Sequence, residues 1–245
     1  MNNAIVVIPT YNEKENAEAI IRKVFSLAVP FDVLIVDDNS PDGTGAIIKN
    51  LQQEFPDRLF LEERQGKLGL GTAYIHGFKY ALKKGYEYIF EMDADFSHNP
   101  EDLIRLYEAC STEGYDVAIG SRYIKGVNVV NWPMNRVLMS YFASFYVRLV
   151  TGMPIQDATA GFKCYTRKVL ETIPLDEIKF IGYAFQIEMK FLAYKYGFKI
   201  KEVPIIFTDR TKGESKMSKG IIQEAFYGVI RMKADSYFRH FNRPE

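Results

Sequence analysis

The sequence predicts an α/β fold in which helices cover both faces of an open sheet, and three observations lead there. Short runs such as Ala4-Ile5-Val6-Val7-Ile8 and Val33-Leu34-Ile35-Val36 are apolar at successive positions, the mark of strands buried on both sides. Through the first half these runs alternate with helical periodicity, the rhythm of β-α-β units. The chain has 245 residues, 47% hydrophobic and 14% aromatic, enough for one full core and unlike disordered, collagenous or disulfide-stapled chains.

Taken in order, the strand at 4–8 leads into a helix over about 13–27 and a second strand at 33–36. Asp42-Gly43 opens a helix to Glu54, 58–61 is a weak strand, 69–84 a helix and 86–92 another strand. Asn99-Pro100-Glu101-Asp102 starts a helix, because proline costs no hydrogen bond in a first turn and acids there complement the dipole. A strand follows at 116–119. Beyond residue 120 the pattern loosens into a long helix over 135–150, a strand near 162–165, a helix over 183–196, a strand through 198–207 and a last helix over 220–240. No repeat or linker interrupts it, so residues 1–245 read as a single domain with a functional subdivision near residue 120.

The formal charge of zero hides a polarity. Residues 1–120 hold 11 Lys and Arg against 20 Asp and Glu, a net of −9, and residues 121–245 hold 20 against 11, a net of +9. Solvated helix faces are one explanation and differently charged ligands the other. Cys110 and Cys164 have no paired spacing and read as reduced thiols. Met1-Asn2-Asn3 runs straight into a strand without the pattern of a signal peptide, and uncharged stretches such as 137–147 are too short to span a bilayer. A cytoplasmic protein that can still lie on a membrane is expected.

Ligands of open α/β sheets bind beyond the carboxyl ends of the strands. Three polar clusters stand there: Pro9-Thr10-Tyr11-Asn12-Glu13, Asp37-Asp38-Asn39-Ser40-Pro41-Asp42-Gly43 and Asp93-Ala94-Asp95. Two carboxylates two residues apart are hard oxygen donors for Mg²⁺ or Mn²⁺, although most such pairs are solvated turn acids. Arg122, Arg136 and the run Asp209-Arg210-Thr211-Lys212-Gly213-Glu214-Ser215-Lys216 supply cations of the kind that grip phosphates, with surface charge as the bland alternative. No nucleophile elbow, His triad, dinucleotide fingerprint or Walker spacing is present, which excludes dehydrogenase and P-loop readings.

Together with Gly69-Leu70-Gly71-Thr72-Ala73-Tyr74, Asp93 through Pro100, and Gly120-Ser121-Arg122-Tyr123, these blocks resemble inverting glycosyltransferases of family 2. More narrowly they resemble dolichyl- or polyprenyl-phosphate mannosyltransferases lacking C-terminal transmembrane helices. The resemblance runs from about residue 4 to 220 in the right order. It implies the glycosyltransferase A fold, a Rossmann-like open sheet. It implies that Pro9, Tyr11, Glu13, Val36 and Asp38 hold the nucleoside, that Asp93, Ala94 and Asp95 hold metal and diphosphate, and that Arg210 and Lys216 contact the donor phosphates. Arg122, Arg136 and Ser140 correspond to the acceptor-phosphate site. Ser97 stands where some members carry Gln, and Ser140-Tyr141 where many carry Ser-Arg.

The reaction so implied transfers mannose from GDP-mannose to a polyprenyl phosphate, with Asp95, Arg122 and Arg210 central to the chemistry. UDP-glucose or another nucleotide sugar is an alternative donor, and a nonenzymatic sugar-nucleotide-binding subunit is a further alternative. A lipid phosphate is already ionised near neutral pH, its second pKa being about 6, which accounts for the missing base. Expected partners are a membrane surface, with a membrane anchor protein left as an open alternative, and nucleic acid is not among them. The aromatic segment 132–150 and the last helix are candidate membrane-facing elements, with core packing the alternative for both.

Overall fold

The computed structural model describes residues 2–182, 184–210 and 220–242, and of residues 220–225 only the main chain. The elements are β1 (Ala4–Thr10), α1 (Ala17–Phe25), β2 (Asp32–Asp37), α2 (Thr44–Glu54), β3 (Leu59–Glu63), α3 (Leu70–Lys84), β4 (Tyr88–Glu91), α4 (Asp102–Ser111) and β5 (Val117–Ser121). There follow β6 (Val129–Val130), α5 (Met134–Thr151), β7 (Lys163–Thr166), α6 (Arg167–Thr172), a 3-10 turn (Leu175–Glu177), α7 (Ala184–Lys195), β8 (Ile200–Pro204), β9 (Phe207–Thr208) and α8 (Gly220–Asp235).

Seven strands form one sheet in the order β3-β2-β1-β4-β7-β5-β8, and β6 pairs with β9 as a separate two-stranded ribbon. Neighbours run parallel except at β7, which is antiparallel to both β4 and β5. Side chains alternate across the sheet, so β1 sends Ile5 and Val7 into one core and Ala4, Val6 and Ile8 into the other. The first core is closed by α3, α6 and α7 with Val147 of α5 and Val229 and Met232 of α8. The second is closed by α1, α2 and α4. This double cover is why β1 from Ala4 to Ile8 and β2 from Val33 to Val36 are apolar at successive positions.

Several boundaries differ from expectation for local reasons. The first helix is confined to 17–25 because the Glu13 carbonyl takes the N–H groups of Asn16 and Ala17 in a preceding turn. The strand expected through 198–207 breaks at Pro204, which has no N–H to continue a ladder, and Phe207 joins the ribbon instead. The last helix stops at Asp235 rather than 240.

Candidate active site

Because β1 is bonded between β2 and β4, the carboxyl ends of these three strands open onto one edge. The turns after β1 and β2 are laced together. The Asp38 N–H donates to the Thr10 carbonyl at 3.0 Å, Asn12 N–H to Ser40 Oγ at 2.9 Å, and Glu13 N–H to Thr44 Oγ1 at 3.1 Å. Asp37 is a turn former, accepting from the Thr10 and Ser40 hydroxyls at 2.7 and 2.6 Å. Asp38 is gripped instead by Arg64, whose Nε lies 2.7 Å from Oδ1 and whose Nη1 donates to Thr72 Oγ1 of α3 at 2.8 Å. Pro9, Tyr11 and Glu13 are half-buried beside it, and the Lys67 ammonium lies 5.1 Å over the Tyr11 ring. Val36, which the resemblance placed with the nucleoside, is fully buried in the core.

Just past β4, Asp93 and Asp95 line the same cavity, and Ala94 between them is buried. Asp95 Oδ1 accepts from the Ser97 hydroxyl at 2.6 Å and its Oδ2 lies 2.8 Å from Arg210 Nη2. Tyr74 donates to Asp93 at 3.3 Å. Burial first, and then the charge of Asp95, push the Asp93 carboxyl up to about 7. The turn is held by Phe96 at φ +60°, a costly conformation for a bulky residue. Two neighbouring carboxylates whose mutual repulsion raises Asp93 fit a hard divalent cation such as Mg²⁺ or Mn²⁺, which relieves that repulsion. Among the described residues no third His, Cys, Asp or Glu joins them. The rest of such a cation's shell would be water and substrate phosphate.

The second half closes the cavity, of about 480 Å³, with Arg122, Arg136, Ser140 and Arg210. Arg136 is 2.9 Å from Asp209 and 4.1 Å over the ring of Trp132. Arg122 is buried and forked onto Asp157, with Nε–Oδ2 at 2.7 Å and Nη2–Oδ1 at 2.6 Å, and Nη2 also donates to Thr159 Oγ1 at 2.8 Å. Although burial alone would raise it, Asp157 is held below the ordinary carboxylate range by Arg122. The cavity then runs from this polar end along an apolar wall of Met139, Phe142, Ala143 and Val147 of α5 and Phe226 of α8. Of the expected residues the structure thus gathers Asp93, Asp95, Arg122, Arg136, Ser140 and Arg210 around one space, with the β1 and β2 cluster on the same sheet edge. Lys216 lies outside the described residues.

Residues the sequence reading passed over are Arg64, Asp157 and Thr159. Arg64 immediately follows β3, so inspecting every strand end in turn would have found it. Asp157 escapes that rule for a topological reason. In an antiparallel strand it is the amino end that reaches the ligand edge, and Lys163 of β7 pairs with Glu91 at the carboxyl end of β4. The approach to β7, residues 157–161, therefore belongs to the site. His98, inside the Asp93–Pro100 block, is buried in the cavity wall and stacked on Phe162 at 4.9 Å.

The family described as glycosyl transferase family 2 matches residues 5–174. A curated relative from Mycolicibacterium smegmatis, polyprenol monophosphomannose synthase, is 47% identical over 92% of this chain and 84% of its own. Another from Micrococcus luteus, undecaprenyl-phosphate mannosyltransferase, is 44% identical over 93% and 92%. Among solved structures, a mannosyltransferase from Pyrobaculum calidifontis in complex with GDP-Man and Mn²⁺ superposes with a TM-score of 0.59 at 17% identity, covering 99% of this chain and 66% of that one.

Proposed function

The chain belongs to glycosyl transferase family 2, and from that premise we propose that it transfers mannose from GDP-mannose to a polyprenyl monophosphate, with inversion at the anomeric carbon. The observation that carries this reading is the shape of the cavity, where paired acids and three arginines share one end and an apolar wall leads away from it. A sugar nucleotide needs the first part and a long lipid the second. Both relatives at 44–47% identity are named for mannosyl transfer onto polyprenyl phosphates, and the Pyrobaculum mannosyltransferase holds GDP-Man.

In this reading Pro9, Tyr11, Glu13, Val36 and Asp38 seat the nucleoside. Arg64 fixes the Asp38 carboxylate. Asp93 and Asp95 would hold Mg²⁺ or Mn²⁺, which supplies charge stabilisation to the leaving diphosphate. Arg210, already beside Asp95, and Lys216 add cations to the same leaving group. Arg122, Arg136 and Ser140 hold the lipid phosphate, whose oxygen attacks the anomeric carbon in a single displacement. No general base is required because the nucleophile arrives ionised. Positioning and charge complementarity carry the rate.

Delivery of the lipid makes this a membrane-surface enzyme. No described helix is long and apolar enough to cross a membrane. On α5, Phe142, Phe145 and Leu149 are exposed, Leu149 by 73%, while Tyr146 stacks on Phe226 of α8 at 4.6 Å instead of facing out. On and after α8, Tyr227, Ile230 and Phe238 are exposed beside Arg231. We assign this face to the lipid headgroup region, the opening through which the prenyl chain enters the cavity.

The test is incubation with a short polyprenyl phosphate, Mn²⁺ or Mg²⁺ and either GDP-mannose or UDP-glucose, reading glycolipid by mass. Mannolipid is expected from GDP-mannose, and Asp95→Ala should lower turnover by about 100-fold or more, the scale of losing a charge-stabilising group. Unchanged turnover of that variant under chelation, or no product from any donor, overturns the reading.

A further inference from the structure

The segment that carries Asp157 is held by an unusual pair of charges. Between α5 and β7 the chain passes through residues 156–161 as an irregular loop, yet Asp157 and Ala158 are fully buried. Its main-chain groups must therefore find partners inside the protein. The N–H groups of Gln156 and Asp157 donate to the Glu202 carboxylate on β8 at 2.7 and 2.9 Å. The carbonyls of Ala158 and Ala160 accept from the Lys190 ammonium on α7 at 2.9 and 2.6 Å. A carboxylate thus takes the loop's donors and the Lys190 nitrogen its acceptors.

Lys190 is fully buried, and its other hydrogen bond is to the carbonyl of Gln186 in its own helix at 3.2 Å. Burying an ammonium costs several kcal/mol even after relaxation, roughly, and an apolar residue would fill the same space without that cost. Two consequences follow from having the charge there. The loop is fixed, and with it the Asp157 and Thr159 oxygens that hold Nε and Nη2 of Arg122. The second is electrostatic. Asp157 neutralises Arg122 at hydrogen-bond distance, and the Lys190 charge acts on that same carboxylate.

We propose that Lys190 and Glu202 are positioning residues for the acceptor, holding residues 156–160 between opposite charges so that Asp157 and Thr159 present Arg122 to the lipid phosphate. The inference rests on the acceptor assignment above. It adds two residues that do not line the cavity, and it directs them to the acceptor side, because their hydrogen bonds go to residues 156–160, Gln186 and Ser121 beside Arg122.

The chain's only tryptophan, Trp132, lies 4.1 Å from Arg136 and 5.5 Å from Arg122, so its fluorescence reports on this end of the cavity. Titration of the full chain with farnesyl phosphate, with farnesol as the phosphate-free control, measures acceptor affinity. GDP-mannose affinity is measured separately by calorimetry. Lys190→Met should weaken farnesyl phosphate binding by at least 10-fold while GDP-mannose affinity stays within 2-fold. Lys190→Arg, which keeps a charged donor for the two carbonyls, should recover most of the loss. Glu202→Gln retains one accepting oxygen and should cost about 3-fold to 10-fold in acceptor affinity, and it decides the matter if Lys190→Met does not fold. Wild-type affinity in folded Lys190→Met or Glu202→Gln, or an equal loss for both ligands, overturns the inference alone. A wild-type protein that responds to farnesol as strongly as to farnesyl phosphate, or to neither, overturns the acceptor assignment and this inference with it.

Discussion

His98 illustrates how a single buried side chain couples the site to stability. Its ring is stacked on Phe162 and edge-on to Phe207, and burial pushes its pKa down to about 4. In the unfolded chain it titrates near 6.5, so between pH 6.5 and 4 the unfolded state binds the extra proton. The contribution is complete above 6.5 and is lost as pH falls through that window, amounting to about 3 kcal/mol at its end. His98→Phe keeps an aromatic ring and removes the titration. Urea unfolding at pH 7 and pH 4.5 should therefore show the variant losing less stability than wild type. At this scale much of the candidate site was legible: the acids follow apolar runs, and Arg122 follows a strand end. What the sequence concealed were charges in apolar surroundings. Nothing in the sequence around Lys163 and Lys190 marks them as interior, yet both are fully buried, the first paired with Glu91 at 3.1 Å.

The elements were predicted well where double-sided burial leaves long apolar runs, and poorly where one or two residues decide pairing. β6 and β9 are two residues each, and α6 has a single turn and a half, too short for periodicity to register. Packing between elements also hides small residues with large effects. Helix α3 crosses β1 so closely that a Cβ at Gly77 would meet Val7 Cγ1 at 2.4 Å. The contact sets how near α3, which carries Thr72 and Tyr74, lies to the strand that carries the nucleoside-side turn. Gly77→Ala should lower stability by about 1–3 kcal/mol, the usual cost of overpacking a dense core. Adding Val7→Ala should return part of that loss, a non-additivity that denaturant unfolding of the four proteins measures.

Over the whole molecule, the opposite charges of the two halves meet at the cavity. Arg210 of the basic half bonds Asp95 of the acidic half, while Arg122 and Arg136 find their partners, Asp157 and Asp209, within the basic half. The remaining excess of cations there suits an anionic bilayer. Reversing Arg231, Lys233 and Arg239 to Glu should abolish low-salt retention on anionic liposomes and leave activity on a soluble short-chain acceptor close to wild type; undiminished retention would count against the membrane assignment. The division near residue 120 is harder to maintain as a boundary of assembly, since it falls inside β5, and β7 from the later half lies between β4 and β5. On the ribosome, the strand bearing the acid pair and the strand preceding Arg122 have no ladder joining them until residues 163–166 have emerged. A nascent chain halted at residue 120 would expose one side of β4 and both sides of β5. Such a fragment should be protease-sensitive and aggregation-prone, whereas chains released beyond β8 should gain protection together, acids and arginines in one step.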